Sequence, residues 1–117
     1  MARLYHGSAG DYDRLLPSTA TGNIQPSERS RGGFRDVIFF SSDFHQAREY
    51  AGPGGVVYEC DVDDAVLYTA GKRPTSTIFV APRCEIVARW YLAPRRRGEP
   101  QQYDRIAEVE RRETCTA

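Results

Sequence analysis

The sequence has little of what builds a disulfide framework, a zinc site or a membrane span. Its three cysteines, Cys60, Cys84 and Cys115, are an odd number without Cys-x-x-Cys spacing, which argues against both a disulfide scaffold and a zinc site and favours a reducing compartment. No apolar run approaches the roughly 20 residues of a membrane-spanning helix. The first residues lead into strand-like sequence without a signal-peptide core. We therefore expect a cytoplasmic protein that uses neither a membrane nor a metal.

The chain also lacks an excess of charge of either sign. Its 16 basic and 16 acidic side chains cancel, so no long-range field draws the whole molecule to nucleic acid or to an anionic membrane. Lys72 is the only lysine; the arginines offer planar forks that suit phosphates, although a codon bias toward arginine explains the same composition. The sequence contains no P-loop, GxGxxG, HExxH or GxSxG motif. No motif therefore supports a common nucleotide-binding, zinc-protease or serine-hydrolase function.

Hydrophobic patterning predicts one α+β domain. A length of 117 residues with 40% hydrophobic residues gives room for one modest core. Between the second and third strands, Ser42 or Asp43 can cap a helix whose Phe44, Ala47 and Tyr50 recur at helical spacing, and the glycines and proline of residues 52–55 end it. Six strands and one main helix define the α+β class. The strands are predicted at residues 3–6, 36–41, 56–62, 65–69, 77–81 and 85–92.

The remaining segments are polar. Residues 11–16 predict a turn of helix, and residues 18–35 form a long loop that in so small a domain is more often functional than idle. Arginines at 95–97 end the core. Beyond them, Glu and Arg recur at spacings that can form ion pairs on a helix surface, which predicts a polar helix over residues 103–113. We expect a domain over residues 1–94 and, over residues 95–117, a basic linker with a polar C-terminal helix or tail that is an exposed face rather than a nucleic-acid arm.

His6 lies in a site-like position in this pattern. It ends the first predicted strand, and the glycine after it lets a ligand approach the backbone. The alternative is a histidine that satisfies local backbone groups and has no ligand. His45 follows Asp43 on the predicted helix and is expected to face solvent.

Three segments together resemble the NAD-binding half of the ADP-ribosyltransferases. They are Leu-Tyr-His-Gly-Ser at residues 4–8, Asp-Val-Ile-Phe-Phe-Ser-Ser-Asp at residues 36–43, and the helix with Ala47 and Tyr50. The resemblance is closest to the poly(ADP-ribose) polymerase branch, and the small bacterial rifampicin ADP-ribosyltransferases are similar in length. It implies a small ADP-ribosyltransferase-like split β-sheet domain with NAD as substrate.

The resemblance also implies roles for individual residues. The His6 side chain bonds a ribose hydroxyl, the Gly7 backbone holds the nicotinamide amide without a Cβ in the way, and the Tyr50 ring stacks on the nicotinamide. The expected cofactor-binding set also includes Ser8, Phe39, Ser41, Ala47, Arg31 and Arg35. With Arg29, the last two lie in the long loop, where guanidinium groups can meet the pyrophosphate.

Two motif positions depart from the family in ways that bear on catalysis. Phe39 stands where a tyrosine is usual, and Ala47 stands where the polymerases have a serine that bonds the amide. Efficient transferases place a glutamate at the start of a later strand, but residues 74–80 contain no carboxylate. Ser76 and Thr77 are the hydroxyl candidates there, and with His6 and Phe39 they complete the candidate catalytic set. A carboxylate could instead reach the site from Glu59, Asp61, Asp63 or Asp64, although a solvated acidic edge is the simpler interpretation.

The resemblance predicts a mono-ADP-ribosyltransferase whose acceptor is an unidentified protein, nucleic acid or small molecule. Chain elongation of a polymer is not expected without the glutamate. Two alternatives share the fold: a catalytically inactive module that binds NAD or ADP-ribose, and an NAD-dependent RNA 2'-phosphotransferase, although the basic residues expected of the latter are not evident. A structural protein without a ligand is the remaining alternative.

Overall fold

The computed structural model describes residues 1–16, 37–72, 74–94 and 97–110. Arg29, Arg31 and Arg35, the predicted pyrophosphate contacts, lie outside the described residues, as does Cys115. In the described part of the chain, no helix has the length and apolar character needed to cross a membrane.

Seven strands form one antiparallel sheet with one α-helix packed on it, and residues 108–110, at the end of the described chain, are also helical. The strand order is β4-β5-β2-β1-β3-β6-β7. The α+β prediction is therefore confirmed. The elements in chain order are β1 (Ala2–Ser8), β2 (Ile38–Ser41), α1 (Phe44–Ala51), β3 (Val56–Val62), a 3-10 helix (Asp64–Val66), β4 (Tyr68–Lys72), β5 (Thr77–Ala81), β6 (Glu85–Leu92) and β7 (Tyr103–Ala107).

The helix begins and ends where its sequence signals are. The Asp43 side chain accepts a hydrogen bond from the backbone N–H of His45, 3.3 Å away, which satisfies one of the free donors of the first turn. At the other end, Gly52 takes φ +71° and donates its N–H to the Arg48 carbonyl. Glycine adopts a positive φ without the steric cost that a Cβ adds, so the helix ends there.

The prediction of a polar helix from residue 103 is wrong over Tyr103–Ala107, which form β7. This strand pairs with β6 from Leu92↔Tyr103 to Ala88↔Ala107. The Tyr103 ring packs edge-on against Trp90, with ring centroids 5.1 Å apart. A main-chain ladder and an aromatic contact outweigh the few tenths of a kcal/mol that each charge pair adds to a helix.

The turn of helix predicted at residues 11–16 is also wrong, because contacts with the sheet fix this segment as irregular chain. The fully buried Arg89 guanidinium donates to the carbonyls of Tyr12 and Asp13 at 2.7 and 2.9 Å. Its other donor group bonds the carboxylate of Glu108. The Tyr58 hydroxyl accepts from the Tyr12 N–H at 2.6 Å. These bonds satisfy backbone groups that a helix would otherwise pair internally.

The fourth strand lies further along the chain than predicted. Residues Asp64–Val66 form a 3-10 helix, which the Asp63 side chain caps by accepting from the Ala65 N–H at 3.0 Å. Strand β4 then starts at Tyr68 and pairs with β5. The local cap therefore replaces the first part of the predicted strand.

The sheet has two differently used faces, because side chains alternate along each strand. We call the face that carries Leu4, Phe40 and Tyr58 the core face, since these residues belong to the main buried cluster. The opposite face, which α1 covers, is the helix face. There Ala47 and Ala51 of the helix pack on Val57 and Leu92 of the sheet, among other residues.

The helix sits on β1 at Gly7. A Cβ built on Gly7 would lie 1.9 Å from the carbonyl oxygen of Ala47, closer than any real contact. The obstruction comes from the helix backbone, so the requirement for glycine, which the sequence attributed to ligand approach, has a packing cause. The motif glycine thus fixes how closely α1 approaches the sheet.

We expect Gly7→Ala to destabilise the fold by roughly 2 kcal/mol or more, because backbone atoms must move to admit the methyl group. Gly71→Ala is the matched control, since a Cβ at Gly71 in β4 meets no atom within 4 Å. Urea unfolding of both variants and the wild type measures the difference. Equal midpoints for the two variants would contradict the close seating of the helix.

Candidate functional site

The recorded register of strands β1 and β2 is a single residue pair, next to the His-Gly motif. They share the single registered pair Tyr5↔Ser41, whereas β1 pairs with β3 from Ala2↔Val62 to Ser8↔Val56. Beyond Tyr5, the described strands therefore register with β1 on its β3 side only. We call the place between His6–Gly7 of β1 and Phe39 of β2 the β1/β2 opening.

His6 bridges this opening with its side chain. Its Nδ1 lies 2.7 Å from the backbone oxygen of Phe39. A carbonyl oxygen only accepts, so Nδ1 carries the proton and donates. Nε2 is then a lone-pair acceptor, and it is buried with no hydrogen-bond partner among the described residues. An unpaired acceptor of this kind is rare in a folded protein and marks a place where a donor would be stabilised.

The environment keeps the imidazole neutral. His6 is 9% exposed and packs against the rings of Phe40 and Tyr58 on the core face. Burial lowers the pKa of His6, and the bond to the Phe39 carbonyl opposes that shift without cancelling it. The side chain therefore offers a lone pair, and no charge, at neutral pH.

A second group of predicted residues meets on the helix face. Ser41 at the end of β2 donates its hydroxyl to Oε1 of Gln46 at 2.9 Å. Ser76, just before β5, donates its hydroxyl to the same oxygen. We call Ser41, Gln46 and Ser76 the Gln46 cluster. It joins the helix to the segment where the family has its glutamate.

Ser76, and not Thr77, faces the helix. Thr77 and Ser42 exchange bonds at the start of β5: the Thr77 N–H donates to the Ser42 hydroxyl at 2.8 Å, and the Ser42 N–H donates to the Thr77 carbonyl at 3.0 Å. Alternation then places the Thr77 side chain with Phe79 on the core side. Of the two hydroxyl candidates, Ser76 is the one on the helix face.

Tyr50 and Ala47 occupy different environments on α1. Tyr50 is 49% exposed. Ala47 is 1% exposed and is used in helix packing on the sheet. Phe39 is partly buried and pairs with Val80 on the helix face, so it lies on the same face as Ser41.

The structure does not bring the His6 and Tyr50 side chains into one cleft. His6 alternates with Gly7 along β1, so its imidazole projects to the core face with Ser8 while the helix and Tyr50 cover the other face. The convergence expected from the motif is therefore wrong at the level of side chains.

Glu59 was one carboxylate expected to reach the site, and it is held elsewhere. It is buried on β3, where Arg105 and Arg3 donate to its Oε2 at 3.0 and 2.8 Å and Trp90 donates to its Oε1 at 3.1 Å. The Arg105 guanidinium is the main cause that lowers the pKa of Glu59. This carboxylate stays ionised and paired.

The three aspartates have local partners of their own. Asp61 accepts from Arg3 at 2.6 Å, and Asp64 pairs with the amino group of Met1 at 2.9 Å. Asp63 caps the 3-10 helix. Each bond recorded for these carboxylates therefore joins β1, β3 or the turn after β3, and none joins the Gln46 cluster in the described part of the chain.

Gln46 was missed by sequence reasoning. Its one available signal was position, since it stands four residues before Tyr50 and therefore on the same side of the helix. Its contacts with Ser41 and Ser76 depend on the pairing of β2 with β5, which no local pattern shows.

Comparison of the chain with protein-family models, with curated proteins and with solved structures found no match. Among the described residues, no group of three or more His, Cys, Asp or Glu side chains is arranged to hold a metal ion. Function is therefore inferred from the two groups at the β1/β2 opening and on the helix face.

The neutral state of His6 predicts a pH dependence of stability. Its folded pKa lies below the ordinary value of 6.5, so below that pH the unfolded chain binds a proton that the folded chain resists. Stability is then fully present above pH 6.5 and is lost as the pH falls toward the folded pKa, by up to about 1.4 kcal/mol per pH unit. Between about pH 7.5 and about pH 5.5 we expect wild type to lose roughly 1 kcal/mol more than His6→Gln.

Urea unfolding at the two pH values provides the measurement. His45→Gln is the control, because His45 is exposed and its removal should leave the wild-type pH dependence in place. If His6→Gln and wild type lose the same stability on acidification, His6 is not held neutral by the fold.

Proposed function

We propose that this chain is a mono-ADP-ribosyltransferase that uses NAD as donor. The observation on which this rests is the neutral His6 imidazole on the core face, whose buried Nε2 has no hydrogen-bond partner among the described residues. A sugar hydroxyl is the kind of donor that this acceptor lacks, and the dinucleotide carries four of them on its two riboses. The His6 acceptor supports the ribose contact that the motif resemblance implies, whereas the requirement for Gly7 comes from helix packing.

The proposal accommodates the separation of His6 and Tyr50. Strand β1 has a registered partner only on the β3 side beyond Tyr5. In this proposal, His6 contacts the dinucleotide from the core face and Tyr50 contacts it from the helix face. The two residues would then hold different parts of one ligand, rather than opposite sides of one ring.

Tyr50 supplies the aromatic surface for the nicotinamide end. Its ring is about half exposed, and Gln46 lies one helical turn before it. Stacking on an aromatic ring adds about 1 kcal/mol beyond simple burial. Phe39 and Ser41 on the same face of β2 line the approach from the sheet side.

The proposed reaction is a dissociative transfer. The bond between the ribose C1 and the nicotinamide nitrogen breaks, and its electron pair leaves with nicotinamide. A lone pair of the acceptor then forms a bond to C1, and the acceptor loses its proton to solvent. His6 and Tyr50 orient the donor, and Ser76 offers a neutral contact near the ribose in place of a carboxylate. Without a negative charge there, we expect slow transfer of single units.

A catalytically silent NAD-binding module is the second candidate. It is favoured by the pairing of Glu59, a carboxylate that the sequence offered to the site, with Arg105, Arg3 and Trp90. A cationic sugar intermediate would then lack an anionic partner from Glu59, Asp61, Asp63 or Asp64. Release of nicotinamide distinguishes the two candidates, because a silent module binds NAD without consuming it.

We expect Tyr50→Ala to weaken NAD binding about fivefold, the factor that corresponds to about 1 kcal/mol of lost stacking. Its half-exposed ring predicts little change in folding stability. Tyr68→Ala is the matched control, because Tyr68 is 63% exposed on the edge strand β4. Calorimetric titration with NAD measures affinity, and nicotinamide release from the same samples measures turnover.

The outcomes separate the candidates. Binding with nicotinamide release and label transfer to a lysate component supports the transferase, whereas binding without release supports the silent module. No binding of NAD by folded wild-type protein, or equal affinities of the two tyrosine variants, would count against the proposed site.

A further inference from the structure

Gln46 does not make the hydrogen bond that its position in the helix predicts. With Asp43 as N-cap, Gln46 stands at the third helical position, where a glutamine usually reaches back to the N-cap backbone N–H. Here the Asp43 N–H donates to the Ser41 hydroxyl instead, at 3.0 Å. Because Ser41 caps that donor, the Gln46 side chain is available to hold Ser41 and Ser76.

The direction of the bonds fixes the chemistry of Ser76. An amide oxygen only accepts, so both serine hydroxyl protons point to Gln46 Oε1. Ser76 is 8% exposed, and its hydroxyl has one proton, which this bond uses. Toward any ligand, the Ser76 oxygen is therefore an acceptor and not a donor.

We propose that Gln46 is a positioning residue that makes Ser76 an acceptor for a hydroxyl on the nicotinamide-side ribose of NAD. This inference rests on the proposed function and deepens it. Gln46 and Tyr50 share one side of α1, so the acceptor and the stacking ring border the same space. Strand β5, which follows Ser76, pairs with β2, whose Phe39 borders the β1/β2 opening.

The arrangement gives the site a neutral substitute for a carboxylate. A carboxylate accepts from a ribose hydroxyl and also carries a negative charge, whereas the Gln46–Ser76 pair supplies only the acceptor. The site therefore selects ligands by the presence of the hydroxyl. It adds no charge that would attract cationic ligands in general.

The test compares three ligands across four proteins and one control variant. The ligands are NAD and analogues of NAD in which the 2'- or 3'-hydroxyl of the nicotinamide ribose is replaced in turn by hydrogen. The proteins are wild type, Ser76→Ala, Gln46→Met and Gln46→Glu. Methionine keeps the length of the side chain but removes the acceptor, whereas a carboxylate still accepts from both serines. Gln102→Met is the control, because Gln102 is exposed near β7.

We expect wild type to prefer NAD over one of the two deoxy analogues about fivefold, the ratio typical of one neutral hydrogen bond. This ratio should fall to about one in Ser76→Ala and should drop in Gln46→Met, while Gln46→Glu and Gln102→Met keep it. A purely structural role for Gln46 would lower stability without changing the ratio, and thermal unfolding of the same variants reports that separately.

Failure of the proposed role of Gln46 can be distinguished from failure of the proposed function. If wild type binds NAD and both deoxy analogues equally, or if Gln46→Met keeps the wild-type ratio in a folded protein, the role of Gln46 is overturned while the proposed function stands. If folded wild type binds none of these ligands, the proposed function and this inference are both refuted.

Discussion

The close approach of the α1 backbone to Gly7 is the contact on which the rest of the site depends. With a glycine there, the Ala47 carbonyl comes so near to β1 that a Cβ would lie 1.9 Å from it. The helix is thereby seated above the central strand, and its two flanks face different parts of the sheet. Gln46 points to β2 and the start of β5, while Phe44 packs on Trp90 of β6 with ring centroids 4.8 Å apart. A larger separation would loosen both sets of contacts.

The β1/β2 opening makes an ordinary strand residue into a ligand candidate. Where main-chain pairing ends, His6 uses its ring to reach the Phe39 carbonyl, and this bond fixes which nitrogen holds the proton. Burial keeps the ring neutral and leaves Nε2 as an acceptor. The site chemistry therefore follows from the local departure of β2 from β1.

Charged groups in the described part of the domain mainly hold the sheet and its loops together. Glu59 ties β3 to β1, β6 and β7 through Arg3, Trp90 and Arg105, and Arg89 anchors the segment after β1. Leaving a buried ion of this kind unpaired costs stability, so its charged partners stay in these ion pairs and are not available to bind a ligand. The described site groups are neutral amides, hydroxyls and an imidazole, which accounts for a proposed function of slow or silent NAD chemistry.

The sequence by itself determined the local elements, because their signals lie within a few residues of one another. The α+β class, the Asp43-capped helix and the strands at residues 77–81 and 85–92 follow from periodicity and turn residues, whereas β1 continues to Ser8, beyond its predicted end at His6. Only the tertiary structure decided that His6 and Tyr50 occupy opposite faces, that Tyr103–Ala107 add a strand, and that Gln46 holds Ser76. These facts depend on which strands pair and on how closely the helix packs, and both are set by contacts between residues far apart in the chain.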